Sequence, residues 1–263
     1  MSRCAARPYY RDTSSEMGET DMAEHYMLFV PCAKRVRGIV DGETVVDSLS
    51  PGLLIESGKR PVYYFPRADV RTDRLERSAY RARCPYKGDE TYWTLNVGDR
   101  RGENAVWSYE APPSEFDAMK GHLAFAAGAV DHWLEEDEEV FGHPCDPFHR
   151  VDVRPSTRRV RVVFAGETIA DTTRALFLFE TGHPTRYYIP PADMRTDLLE
   201  ATQRKTVCPY KGSASYWTLR VGDRTAPDAV WGYLDPVPEC PRIKGYFCFY
   251  PEKVDAIEVA SGG

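Results

Sequence analysis

The pentapeptide Cys-Pro-Tyr-Lys-Gly stands at Cys84–Gly88 and again at Cys208–Gly212. A thiol three residues from an amine can do chemistry. A nearby ammonium lowers a thiol's pKa, and the thiolate is the nucleophilic form. Cys84 with Lys87, and Cys208 with Lys211, are therefore the candidate catalytic residues. The competing expectation is a structural thiol, because free cysteine is among the most buried residue types. No general base stands beside either one, since His25 and His149 match each other but lie at the edges of their segments. The lysines have further options. Desolvated, such a lysine forms a Schiff base with a carbonyl; charged, it holds an anion or braces an acid. Glu56 in "LLIESG" and Glu180 in "FLFETG" are single acids in apolar runs. A carboxylate buried there requires a cation or hydrogen bonds. Lys87 and Lys211 are its natural partners, with Arg71 and Arg195 as competitors.

Aromatic residues surround these groups. Tyr86 and Tyr210 lie inside the pentapeptides, and Tyr63-Tyr64, Tyr92-Trp93 and Trp107-x-Tyr109 match Tyr187-Tyr188, Tyr216-Trp217 and Trp231-x-Tyr233. Neighbours on a strand face opposite ways, so one ring of each adjacent pair is expected in the core and the other toward a groove or solvent. Trp107 with Tyr109, and Trp231 with Tyr233, share a face. Two rings on one face near a cation suit a pocket for a planar or anionic small molecule; an aromatic-rich β core is the plainer reading. Glu56, Arg71, Tyr86, Trp93, Trp107 and Tyr109 are thus candidate ligand contacts of one site. Glu180, Arg195, Tyr210, Tyr216, Trp217, Trp231 and Tyr233 are those of the other.

What positions them is a duplication. The two pentapeptides are 124 positions apart, and that offset matches "RVRGIVDGETVVD" to "RVRVVFAGETIAD", "YYFPRADVRTDRLE" to "YYIPPADMRTDLLE" and "AVWSYEAP" to "AVWGYLDP". Two copies of one domain account for this, where a short solenoid repeat does not. The expected division is a polar tail over 1–24, a first repeat over 25–139, a linker over 140–148 and a second repeat over 149–263. Each repeat reads as a run of short antiparallel strands. "RVRVVFAGETIAD" turns at Ala165-Gly166 as a hairpin. "PPADMRTDLLEAT" opens on prolines and spaces Met194, Leu198 and Leu199 at helical intervals, which predicts one short helix per repeat. "HLAFAAGAVDHWLEEDEE" predicts a more helical end for the first repeat, with Glu135–Glu139 as its solvated terminus.

Composition excludes several classes. Aromatic residues make up 12% of 263, with 16 Tyr and 5 Trp, which favours strands. A net charge of −6 carries no basic footprint for nucleic acid. No apolar run approaches the roughly 20 residues of a membrane helix. The absence of Cys-x-x-Cys and of a signal-like apolar core leads to an expectation of a reducing, cytoplasmic setting, with neither metal nor cofactor. His143, Cys145 and His149 are close in sequence, but their proline-rich, unrepeated setting argues against a metal site. Either a monomer acting as an internal pseudo-dimer or a homodimer fits the duplication.

The extended "YYxPxxDxR" segment, the "CPYKGxAxYW" run and the "VWxYxxP" strand together resemble the domain of unknown function 427 family, here in tandem. The second repeat, "CPYKGSASYW", fits best; the first carries Asp89-Glu90 where a small pair is expected. The resemblance implies a mainly β fold, a sandwich or β-tent whose two sheets pin together at one edge and open at the other over an aromatic pocket. The family label also suggests nucleotidyl transfer, which needs carboxylates that hold metal ions near a triphosphate. The "ADxRTD" segments offer Asp69 with Asp73 and Asp193 with Asp197, and acids so spaced more often cap a helix start. Neither phosphate-loop fingerprint is present. The expected function is small-molecule binding or an unassigned enzyme activity, with one pocket per repeat that is better formed in the second. The alternatives are a protein- or peptide-interaction module with structural CPYKG turns, and the nucleotidyl transfer of the label.

Overall fold

The computed structural model describes residues 25–140 and 142–261; the expected tail over 1–24 lies outside them. Strand is the dominant state, in several antiparallel sheets. The first repeat runs β1 (Met27–Pro31), β2 (Val36–Val40), β3 (Glu43–Ser48), β4 (Gly52–Glu56), β5 (Val62–Pro66) and β6 (Leu75–Cys84). It continues through β7 (Gly88–Val97), β8 (Arg100–Tyr109), β9 (His122–Phe125), β10 (His132–Glu135) and β11 (Glu138–Val140). The second runs β12 (Val151–Pro155), β13 (Val160–Phe164), β14 (Glu167–Thr172), β15 (Leu176–Glu180) and β16 (Arg186–Tyr188), then β17 (Leu199–Cys208), β18 (Gly212–Val221), β19 (Arg224–Pro236), β20 (Phe247–Phe249) and β21 (Ala256–Val259).

Each repeat pairs a long sheet with a short one. In the first, the long sheet has the order β1-β4-β5-β9-β8-β7-β6 and the short one β11-β10-β2-β3. The second reproduces this as β12-β15-β16, bridged through Ile189 and Phe247 to β20-β19-β18-β17, with β14-β13-β21 as its short sheet. The long sheet is covered on both faces at β4, which is buried at all five positions and reads as a continuous apolar run, while its edge strands β1 and β6 are exposed or half-buried. One face packs on the short sheet and forms the first core, around Val46, Phe65, Leu95 and Phe125 in the first repeat and Val162, Ile189, Leu219 and Phe249 in the second. The opposite face forms a second core, around Tyr64, Tyr109 and Met119, or Tyr188, Tyr216, Trp231 and Tyr233.

Turn chemistry fits the sequence locally. The β13–β14 turn places Ala165 at φ 53° and Gly166 at φ 76°, the left-handed pair that a two-residue hairpin loop needs. Two expectations are corrected. The "PPADMRTDLLEAT" segment is not one helix; it forms two 3₁₀ turns, Pro191–Asp193 and Thr196–Leu198. Met194 between them is extended and bridges Ala170, while Arg195 N–H donates to Ile169 O, so the short sheet pulls the middle of the segment out of helical geometry. The end of the first repeat is likewise strand (β9, β10, β11). Gly121 and Gly128 at positive φ break it, and Trp133 pairs with Gly38 of β2. The acidic run is therefore the β10–β11 hairpin, with Glu136 at φ 51° in its turn. Glu135 faces inward and accepts from the Tyr63 hydroxyl and from Lys34.

The CPYKG sequence is itself a hairpin loop. Cys208 pairs with Gly212, and Pro209, Tyr210 and Lys211 form the three-residue connection between β17 and β18. Gly212 has φ 101°, and a Cβ there would lie 3.2 Å from Asp235 O. Only glycine takes that conformation without strain. Gly212→Ala should destabilise the second repeat by about 1–3 kcal/mol, measured as a fall in the urea midpoint. Gly222→Ala, at a positive-φ position with open space around the added methyl, separates backbone strain from the clash.

Candidate functional site

One carboxylate organises each CPYKG loop, buried at Glu56 and half-buried at Glu180. Glu56 ends β4 and Glu180 ends β15, where the strand leaves the two cores. Lys87 Nζ donates to Glu56 Oε2 at 2.6 Å, and Lys211 Nζ to Glu180 Oε1 at 2.5 Å. The loop's tight turn aims the lysine inward, and both lysines are buried. Residues just before the first strand of each repeat add an imidazole. His25 Nε2 and His149 Nε2 each lie 3.0 Å from Oε1 of the same carboxylate. The rings stack on the loop tyrosines, His25 on Tyr86 at 4.0 Å and His149 on Tyr210 at 4.2 Å. Three segments of each repeat thus meet, supplying four groups: the acid, the lysine and tyrosine of the loop, and the histidine. A fifth group differs between the repeats: Lys59 pairs with Glu56 at 2.6 Å, while at the matching place His183 lies 6.1 Å, ring to ring, from His149.

The electrostatics follow from this crowding. Burial pushes the Glu56 carboxyl up, but hydrogen bonds from Lys59, Lys87 and His25 outweigh it and bring its pKa to about 2. Burial likewise opposes Lys211 and His149 at Glu180, whose carboxyl is also held below the usual range. Each carboxylate is therefore charged at neutral pH, with three donors on Glu56 and two on Glu180. On each imidazole Nε2 faces the acid, and Nδ1 has no hydrogen-bond partner among the described residues. A carboxylate that fixes one nitrogen orients the ring and leaves the other for a ligand or a proton.

The remaining candidates divide. Cys84 and Cys208 are half-buried and pack against the second core of their repeat. Trp93 and Trp217 enter the first core and Tyr216 the second, so both rings of the second repeat's pair face a core, whereas Tyr92 is half-buried and packs on the exposed Tyr80. Trp107 donates to the Tyr64 hydroxyl at 3.1 Å. Trp231 packs on Tyr250 at 4.2 Å, with the Arg186 guanidinium 5.5 Å from its ring. Lys211 and Trp231 share a face of the long sheet but have separate partners. Tyr109 lies under Lys87, 5.7 Å from ring centre to Nζ, and donates to Glu90 at 2.6 Å. Its counterpart Tyr233 is buried beside Ala214, and its hydroxyl has no partner among the described residues. Arg71 and Arg195 do not join the cluster. They are exposed, held to the short sheet through Val45 O and Ile169 O, and paired with Asp73 and Asp197 at 2.7 Å.

The histidines are the members that the motif reading set aside. Their signal was the repeat register, which matches His25 to His149 as well as it matches the lysines. The linker also participates. Asp146 N–H donates to the Tyr210 hydroxyl at 2.7 Å and the Cys145 thiol to Pro209 O at 3.6 Å, which ties 140–148 to the second CPYKG loop. Burial pushes the Cys145 thiol up to about 11. Among the described residues no group of three or more His, Cys, Asp or Glu is placed to hold a metal ion. The acids of the "ADxRTD" segments are engaged elsewhere: Asp193 takes Thr172 and Arg174, Asp197 takes Arg195, and Asp69 takes Ser48. No helix of the described residues is long and apolar enough to cross a membrane.

Fold and site together define a tandem of two homologous antiparallel β domains, each with an imidazole–carboxylate–lysine cluster under a CPYKG hairpin. The family model NTP_transf_9, a domain of unknown function (DUF427), matches residues 28–136 and again 152–260, and the chain belongs to that family. No curated protein matches the chain.

The depressed carboxyl sets a pH signature. A group whose folded pKa lies below its ordinary 4.5 stabilises the fold fully above 4.5, and that contribution fades as pH falls toward about 2. Glu56→Gln should therefore remove part of the loss of urea stability seen between pH 5 and pH 3. If the variant loses stability with the same slope as the parent, the ionised cluster is not what stabilises the loop. Lys211→Met should cost about 3–5 kcal/mol by stranding Glu180, and Glu180→Leu added to it should restore part of the loss.

Proposed function

We propose that this protein binds small anionic molecules, with the imidazole of each cluster as the contact group. The observation that carries the reading is His149 (and His25), anchored through Nε2 on the cluster's carboxylate with Nδ1 unengaged. A Glu–Lys pair alone would brace the loop. A half-buried imidazole stacked on tyrosine at the rim adds a donor that bracing does not need. One negative charge faces two lysines and an imidazole in the first repeat, and a lysine and two imidazoles in the second. The basic side chains left once one lysine balances the acid favour an anionic partner such as a carboxylate or phosphate group. The protonated ring donates to the anion through Nδ1; in the neutral ring, with Nε2–H on the carboxylate, Nδ1 is bare and is positioned instead to take a proton from a bound molecule, the step an enzyme built on this site would use.

Histidine resonances report the site directly. Titration with acetate and with inorganic phosphate should move the His149 and His25 ring signals saturably, while those of His122 and His132 stay in place. His149→Gln should abolish binding at the second repeat alone. Unchanged histidine signals at tens of millimolar of either anion, with the protein folded, would overturn the reading.

A further inference from the structure

One slot between the two sheets is filled in the first repeat and open in the second, while the first repeat keeps a separate cleft of about 330 Å³ beside Val40, Leu95, Val97 and Arg100. In the second repeat an open cleft of about 230 Å³ lies between the sheets, walled by Val162, Tyr187, Ile189, Phe249, Pro251 and Ile257. The matching residues of the first repeat are Gly38, Tyr63, Phe65, Phe125, Ala127 and Trp133. There the Trp133 indole occupies the space. It lies parallel to the Phe65 ring at 5.5 Å and meets Tyr63 at 5.9 Å and Phe125 at 5.8 Å. Gly38 makes room for it, because a Cβ there would come within 2.8 Å of the indole. The strand register is the same in both repeats: Trp133 pairs with Gly38, and Ile257 pairs with Val162.

Ile257 is far smaller than an indole, so the second repeat keeps the walls of this slot and lacks its filler. Its polar edge is also released. The Tyr63 hydroxyl donates to Glu135, but Val259 stands where Glu135 would be, and the Tyr187 hydroxyl has no hydrogen-bond partner among the described residues. Val162 takes back part of the volume that Gly38 leaves free. What remains exceeds the apolar cavity of about 150 Å³ that suffices to take up benzene. A mostly apolar slot with a few polar groups, here Thr185, Arg186 and the unengaged Tyr187 hydroxyl, is the usual composition of a small-molecule site.

We propose that this cleft binds a flat aromatic molecule of one or two fused rings, with a polar edge toward the Tyr187 hydroxyl, where the first repeat places the Trp133 side chain. The site lies on the opposite face of the long sheet from the His149 cluster and does not depend on it. Indole is the probe. Methyl NMR of the full chain should show saturable shifts of Val162, Ile189 and Ile257, with one indole bound per chain. Ile257→Trp should weaken binding at least tenfold by filling the slot from within, and Ile257→Phe, a smaller change, should weaken it in the same direction. Conversely, Trp133→Ile should raise the number of bound indoles from one to two. The proposal is overturned if indole produces no saturable shift in the folded parent, if the shifts fall instead on Leu95 and Val97 of the first repeat, or if folded Ile257→Phe binds as tightly as the parent.

Discussion

A carboxylate at the end of a strand buried on both faces has to be neutralised, and the arrangement of each repeat follows from how this is done. Glu56 and Glu180 stand where β4 and β15 emerge from between two cores. An isolated charge there would cost several kcal/mol. The lysine that answers it comes from the β6–β7 or β17–β18 loop, over thirty residues on. Its reach to the acid holds that hairpin against β4 or β15, on the far side of the sheet order from its own strand neighbours. The histidine before β1 or β12 closes the cluster from a third direction, so the start of each repeat is fixed by the same charge.

The pentapeptide is accordingly a folding device. Its glycine permits the turn, its lysine neutralises the acid, and its tyrosine supplies the face on which the imidazole stacks. The cysteine is the least engaged of the five, half-buried against the second core. A thiol packed there behaves as a small apolar side chain, whatever the chemistry its position in the motif suggests.

Much of this was legible in the chain. The 124-residue register gave the duplication, the left-handed turn at Ala165-Gly166 and the matched lysines and histidines, and single acids in apolar runs pointed to a paired charge. The failures have physical causes. Prolines followed by spaced apolar residues suit two 3₁₀ turns as well as one helix, and only the bridge from Met194 to Ala170 distinguishes them. Alanine-rich "HLAFAAGAVDHW" resembles helix because its strand partners, β2 and β8, are remote in sequence. Arg71 and Arg195 looked equivalent to the lysines by charge. They differ because their own loop is bonded to the short sheet, with an acid two residues away. The cleft could not be read at all, since it depends on how Gly38 and Trp133 fit across a strand pair.

The two halves have diverged in one direction. In the first repeat, Trp133 fills the space between the sheets, and Glu90 ties the Tyr92 and Tyr109 hydroxyls on the opposite face. In the second, Ile257 and Ala214 stand at those places, leaving a cleft on one face and an unengaged Tyr233 hydroxyl on the other. Both changes exchange a large space-filling group for a small one, and both fall in the same repeat. Filling a cavity and satisfying hydroxyls stabilise a domain, whereas leaving space and unpaired donors costs stability unless something else occupies them. A duplicated chain can tolerate that cost in one half while the matching places of the other are filled. On this physical ground the first repeat is the better braced at these two places, although it keeps a cleft of its own beside Val40, Leu95 and Val97.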